Sequence, residues 1–318
     1  MWLRRFCIIV ATVAGWMHGN PLVRAAAPEA VDPFGGKHAL VVGIDGCRSD
    51  ALQAAKVPNL KSLIDKGTVC YNVYVGGELN TKTEQHTSSG PGWASILTGV
   101  WADKHKVVDN EFKNPNLKKM VDGAVVGYPH FFTRIKQKHP DCHLASIVAW
   151  APINTKILTD ADYQAASSED GVAEKCIDLL LGDRNHSVVF LQFDIVDHAG
   201  HTSGFDPKEP GYLQAIEATD RRIGTILKAL EKRPSLAEED WLILVTADHG
   251  GRGTGHGGQS PGERTVFIIA TGGDYPHEVV EGKWNVTAVP PTVFHHLGFA
   301  VDPAWGWESA PFGVESVK

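Results

Sequence analysis

Three apolar runs in this chain each lead into an acidic residue. Leu40-Val41-Val42-Gly43-Ile44 delivers Asp45, Val188 to Val196 delivers Asp197, and Leu242 to Thr246 leads through Ala247 to Asp248 and His249. Short, nearly uninterrupted apolar runs rich in β-branched residues are the pattern of strands buried on both faces. Runs of the same kind cover Val69 to Val75, His143 to Ala149 and Thr265 to Ala270. Between them fall helical patterns at Asn59 to Lys66, Val172 to Leu181, Tyr212 to Lys232 and Ala288 to Leu297. This alternation predicts an α/β fold with a mostly parallel central sheet flanked by helices on both faces. Such sheets carry their sites at the carboxyl ends of the strands, where the three acidic residues fall.

The chain opens with Arg4 and Arg5, runs apolar from Phe6 through Ala14, and reaches Ala25-Ala26-Ala27 before Pro28. That is the pattern of a secretory signal peptide over residues 1–27. The apolar run is shorter than the roughly 20 residues that span a bilayer, so no stable membrane anchor is expected. The expected location is periplasmic or extracellular, and residues 28–318 are long enough for a single catalytic domain. The formal net charge of −7 becomes −10 once Arg4, Arg5 and Arg24 leave. An acidic chain argues against nucleic acid as a general partner, because binding a phosphate backbone needs a basic face. It suits a site where cations neutralise clustered carboxylates. Cys47, Cys70, Cys142 and Cys176 include no Cys-x-x-Cys pair, so a thiolate zinc site is not expected; disulfides and buried free thiols both stay open.

Asp45 alone would read as a turn residue. Its weight comes from company. Asp197-His198-Ala199-Gly200-His201 sets an Asp and a His four apart, with Gly200 allowing a tight turn that converges both on one zinc ion. The adjacent Asp248 and His249 project in two directions, and His256 follows within Gly253-Thr254-Gly255-His256-Gly257-Gly258. Two divalent metal ions account for this better than one, the glycines letting the loop bring His256 back to the second ion. Mixed Asp and His donors suit zinc, whereas an all-oxygen set suits calcium or magnesium. The nucleophile candidate is Ser89 in Ser88-Ser89-Gly90-Pro91-Gly92-Trp93. Pro91 fits the first turn of a helix running through Leu97, with Ser89 or Gly90 as its N-cap. A helix N-terminus offers N–H groups to a phosphoryl oxygen, and an adjacent metal lowers a serine pKa. By spacing alone Ser88 is an alternative.

In order and spacing these segments resemble the alkaline phosphatase superfamily, and most closely its nucleotide pyrophosphatase/phosphodiesterase branch. The resemblance takes in Asp45-Gly46, Val57-Pro58-Asn59-Leu60, the segment from Ser89 to Leu97-Thr98-Gly99, and His105 to Asn110. It continues through Asp197 to His201, Asp220 and Gly224, Asp248-His249-Gly250, His256 and Pro291-Thr292-Val293. It implies one zinc held by Asp197, His201 and His256, and another by Asp45, Asp248, His249 and Ser89. Ser89 would attack a small-molecule phosphate ester and form a phosphoseryl intermediate. The Gly90 N–H is the expected oxyanion donor, with Asn110 second. The branch has threonine as nucleophile and asparagine three residues on, where this chain has Ser89 and Gly92, so the choice between monoester and diester stays open. Arg48, Arg252 and Lys104 are candidates for a phosphate clamp, with surface or structural ion pairs as the ordinary role of each. A sulfatase is the rival hydrolase, but Trp93 stands where its signature has arginine; a metal-binding homologue without activity is the non-catalytic alternative. Tyr71, Tyr74, Trp93 and Trp101 are available to stack on a base, with core packing as their ordinary role.

Overall fold

The computed structural model describes residues 32–314 apart from Gly123 and Asp183; the segment read as an export signal lies outside them. Its strands are β1 (Lys37–Ile44), β2 (Thr68–Tyr74), β3 (Lys119–Val121), β4 (Ala124–Val126), β5 (Leu144–Val148), β6 (Tyr163–Ala166), β7 (Val188–Phe193), β8 (Asp240–Thr246), β9 (Thr265–Thr271), β10 (Glu278–Val279) and β11 (Trp284–Asn285). The helices are α1 (Ser49–Ala54), α2 (Pro58–Ile64), α3 (Ser89–Thr98), α4 (Ala102–His105), α5 (Phe131–Lys138), α6 (Glu169–Leu181), α7 (Ile195–Ser203), α8 (Pro210–Leu230), α9 (Pro261–Arg264) and α10 (Val289–His296).

The central sheet runs β10-β2-β9-β8-β1-β7-β5-β6, with β11 also paired to β2 and β3-β4 forming a separate hairpin. All of its pairings are parallel except those of β9, which lies antiparallel to β2 and β8. Every residue of β5 and β7 is buried. Side chains alternate between the two faces of a strand, so unbroken burial means that both faces are covered. The mostly parallel sheet with helices on either side is the architecture that the sequence predicts.

Two local readings change. The run Val188 to Val196 is strand only to Phe193, and α7 begins at Ile195. Glu169 Oε1 accepts the N–H groups of Asp194 and Ile195 at 2.9 and 3.1 Å. A carboxylate at this end satisfies amides that a helix N-terminus leaves unpaired and complements its dipole. Asp197 and His201 therefore meet as i and i+4 on α7, not across a tight turn. Gly200 serves packing instead: a side chain there would collide with the Phe205 ring. The second change is at α3, whose N-cap position is Ser88, with Ser89 as its first helical residue. All four described cysteines are free and buried.

Candidate metal centre

β1, β7 and β8 are adjacent parallel strands, so their carboxyl ends bring Asp45, the start of α7, and Asp248-His249 to one edge of the sheet. Gly46 makes the close approach feasible. Its φ is +66°, and a Cβ there would lie 2.8 Å from Asp197 Cα. The Gly46 N–H donates to Asp248 Oδ1 at 3.1 Å, tying the β1 and β8 turns together. Tyr212 Oη donates to Gly46 O at 2.5 Å, which anchors the same turn to α8.

Two triads of potential ligands result: Asp45, Asp248 and His249, and Asp197, His249 and His256. His249 Nε2 lies 3.4 Å from Asp45 Oδ1 and 3.5 Å from Asp248 Oδ2. Its ring also stacks on that of His256 at 3.9 Å. His201 joins the second group: its Nε2 is 3.2 Å from Asp197 Oδ2 and 3.1 Å from His256 Nε2, while His256 Nε2 is 3.6 Å from Asp197 Oδ1. The set Asp197, His201 and His256 expected for one ion is thus assembled from α7 and the glycine-rich loop.

The tautomers follow from the carbonyls behind the rings. His201 Nδ1 faces Thr254 O at 2.9 Å, His249 Nδ1 faces Gly250 O at 2.7 Å, and His256 Nδ1 faces Thr87 O at 3.0 Å. A carbonyl only accepts, so each Nδ1 carries the proton and each Nε2 turns a lone pair inward. Fixing a ring through its far nitrogen is how metal-ligating histidines are oriented. The carboxylates fit a cation as well, because Asp197 Oδ1 and Asp248 Oδ2 are buried without a hydrogen-bond partner. Burial, followed by repulsion from Asp248, pushes the Asp45 carboxyl well above its usual range, and burial does the same to Asp248. Burial and the nearby imidazoles push His256 down to about 3. Packed carboxylates with convergent imidazole Nε2 atoms are a donor set that a divalent cation stabilises.

Ser89 Oγ lies 3.5 Å from Asp45 Oδ1 and 3.4 Å from His249 Nε2, at the edge of the first triad. Ser88, at the N-cap, makes no capping hydrogen bond with its side chain. The Gly90 N–H is engaged, donating to Asn110 Oδ1 at 2.7 Å. Asn110 is thereby held against the first turn of α3, which begins at Ser89. Arg48 is also occupied. It pairs with Asp50 and donates to the carbonyls of Phe205 and Gly251 at 2.7 and 3.2 Å, bracing the loops that follow α7 and β8. Lys104 is bound to Gly306 O and Glu308 at 2.7 and 2.6 Å. Arg252 is exposed. Trp93 and Trp101 are buried, so neither offers a free face on which a base could stack.

The profile of the type I phosphodiesterase/nucleotide pyrophosphatase family matches residues 39–256, from β1 to the last of these histidines. The chain belongs to that family. A curated relative, the bis(5'-adenosyl)-triphosphatase ENPP4 of Bos taurus, is 25% identical over 222 residues, which is 66% of this chain and 47% of the relative. The chain thus spans about half the length of that relative. Among solved structures, an inactive variant of murine ectonucleotide pyrophosphatase/phosphodiesterase 5 in complex with AMP aligns with a TM-score of 0.62 at 15% identity. That alignment covers 83% of this chain and 96% of the other. A 2-O GAG sulfatase aligns at 0.65 with 13% identity over 83% and 71% of the two chains, a likeness of fold alone. The chain is therefore a member of the phosphodiesterase/nucleotide pyrophosphatase family with an alkaline phosphatase-like fold and two candidate metal-binding triads.

Sequence reading passed over what supports the ligands. Gln192 and Trp93 both hydrogen-bond Asp45, and the carbonyls of Thr87, Gly250 and Thr254 set the histidine tautomers. Backbone carbonyls carry no residue code, and a glutamine within an apolar run is the only signal that was legible.

Proposed function

We propose that this chain is an exported two-metal hydrolase that cleaves phosphodiester or pyrophosphate bonds of small molecules with Ser89 as the attacking group. The observation that carries this is the convergence of three imidazoles, fixed through Nδ1 so that their Nε2 lone pairs meet three carboxylates beside Ser89 Oγ. Asp45, Asp248, His249 and Ser89 would hold one ion, and Asp197, His201 and His256 the other. Zinc suits these donors. Bound ions would supply Lewis-acid charge to the attacking and leaving oxygens.

Ser89 Oγ releases its proton to solvent and attacks phosphorus in line; the P–O bond to the leaving oxygen breaks, that oxygen departs with the electron pair, and a phosphoseryl ester forms. Water then attacks that ester and restores the hydroxyl. Asn110 holds Gly90 through Oδ1, which leaves its Nδ2–H to donate to a phosphoryl oxygen. With Arg48 and Lys104 committed to structural partners, the surroundings favour a phosphorus centre bearing one negative charge over a monoester dianion. The triphosphatase relative supports a nucleotide-like phosphoanhydride among the substrates. The basic and apolar N-terminal segment supports export.

The test compares bis-p-nitrophenyl phosphate with p-nitrophenyl phosphate on zinc-loaded protein, beside Ser89→Ala. Faster diester cleavage that disappears in Ser89→Ala is expected. Faster monoester cleavage would overturn the diester assignment, and activity surviving in Ser89→Ala would remove Ser89 as nucleophile.

A further inference from the structure

Asp45 follows β1 with its two carboxylate oxygens in different company. Oδ2 accepts the indole Nε1–H of Trp93 at 2.8 Å and the amide Nε2–H of Gln192 at 3.0 Å. Oδ1 faces Ser89 Oγ and His249 Nε2. Asp45, Trp93 and Gln192 are all fully buried, so no water competes for these contacts. Two charge-assisted N–H donors commit the Oδ2 lone pairs and leave Oδ1 as the oxygen available to a cation.

Both donors are themselves held in place. A side chain at Gly43, two residues before Asp45, would collide with the Trp93 ring, so β1 makes room for the indole. Trp93 lies four residues beyond Ser89 on α3, so one helix carries both the hydroxyl and the group that holds the carboxylate. Gln192 is pinned from its other end, where Oε1 accepts the N–H groups of Ala149 and Trp150 at 3.0 and 2.8 Å. Neither side chain has rotational freedom to spare.

The geometry points to Trp93 and Gln192 as positioning residues that make Asp45 a one-oxygen ligand, holding Oδ2 back so that Oδ1 alone reaches the ion beside Ser89. This rests on the two-metal reading above. A carboxylate released from these donors is free to rotate and turn Oδ1 away from Ser89 and His249. Gln192 Nε2 also donates to Asp194 Oδ1 at 3.1 Å, at the start of α7, but none of Asp197, His201 and His256 bonds Trp93 or Gln192 directly, so the main effect falls on the ion beside Ser89. Partners that orient a metal ligand typically carry ten- to hundredfold in metal affinity.

The experiment titrates zinc into the metal-free full chain by calorimetry, for wild type, Trp93→Phe and Gln192→Met. Phenylalanine keeps an aromatic ring and deletes the donor; methionine keeps the length of glutamine and deletes its N–H. Wild type is expected to bind two equivalents, and each variant to lose about ten- to hundredfold in one step while the other is unchanged. If wild type takes up no zinc, the two-metal reading falls and this inference with it. If wild type binds two ions and the variants match it, the inference is overturned while the reading stands. Equal weakening of both steps would mean a packing role and would also overturn it. Should Trp93→Phe fail to fold, as judged by the melting of the metal-free protein, Gln192→Met decides on the same criteria.

Discussion

His201 and His256 meet Nε2 to Nε2 at 3.1 Å, each with its Nδ1 turned to a backbone carbonyl. Two lone pairs at that separation repel unless a proton or a cation lies between them. Burial, reinforced by the neighbouring imidazoles, pushes His256 down to about 3, so His256 does not itself carry that proton near neutral pH. A cation relieves this contact and the carboxylate crowding together. Chelation is therefore expected to lower the melting temperature and zinc to restore it. Zinc at 100 times its dissociation constant is worth about 2.7 kcal/mol per site. His256→Ala should retain one zinc equivalent of two by elemental analysis; retention of both would remove His256 from the ligand set.

The bond from Gly90 N–H to Asn110 Oδ1 makes Asn110 the donor to test. Loss of one donor to a developing oxyanion costs about 10²- to 10³-fold in kcat. Asn110→Ala is expected to show that loss on bis-p-nitrophenyl phosphate, with zinc content at the wild-type level. A kcat unchanged from wild type would assign Asn110 only to bracing α3.

The fold was legible because its central strands are continuous apolar runs, three of them leading into acidic residues, and burial on both faces demands such a composition. The candidate ligands stood out because Asp197, His201, Asp248, His249 and His256 combine at short spacing. What stayed hidden depends on where chain segments meet. Nothing near Ser89 indicates that Asn110 occupies the Gly90 amide. Likewise, Gly200 reads equally well as a turn or as clearance for Phe205, and only the helix α7 decides. The end of β7 was misplaced because Ile195 and Val196 extend the apolar pattern while Glu169, distant in sequence, caps the helix.

Gly92 stands where the family pattern has asparagine, and the structure supplies a reason. A Cβ at Gly92 would lie 2.6 Å from the carbonyl oxygen of Asp248 and 3.0 Å from its Cβ. Restoring the family residue by Gly92→Asn should overpack this contact at a cost of about 1 to 3 kcal/mol. It should also displace Asp248, weakening the ion shared with Asp45 and His249. Denaturant unfolding of the metal-free protein checks the first effect and zinc titration the second. Wild-type stability and binding would show that α3 yields to accept the side chain.

His105 gives the chain a pH dependence that is separate from the metal ligands. Its ring is buried, with Nδ1 accepting the Val107 N–H at 3.0 Å and Nε2 at 3.0 Å from Ser95 Oγ. Ser95 in turn donates to Gln85 Oε1 at 3.2 Å, and Gln85 donates to Pro91 O at 3.1 Å, so the network braces α3 beneath Ser89. Burial, with a smaller contribution from Lys106, lowers His105 from 6.5 to about 3. Below pH 6.5 the unfolded chain binds a proton that the folded one refuses. The stabilisation is thus complete above pH 6.5 and is lost as pH falls towards 3, at about 1 kcal/mol per pH unit. His105→Gln, denatured in urea with chelator between pH 4.5 and 7.5, should flatten the stability profile by that amount while costing stability at neutral pH. Parallel profiles for variant and wild type would mean that the folded protein accepts the proton on His105 after all.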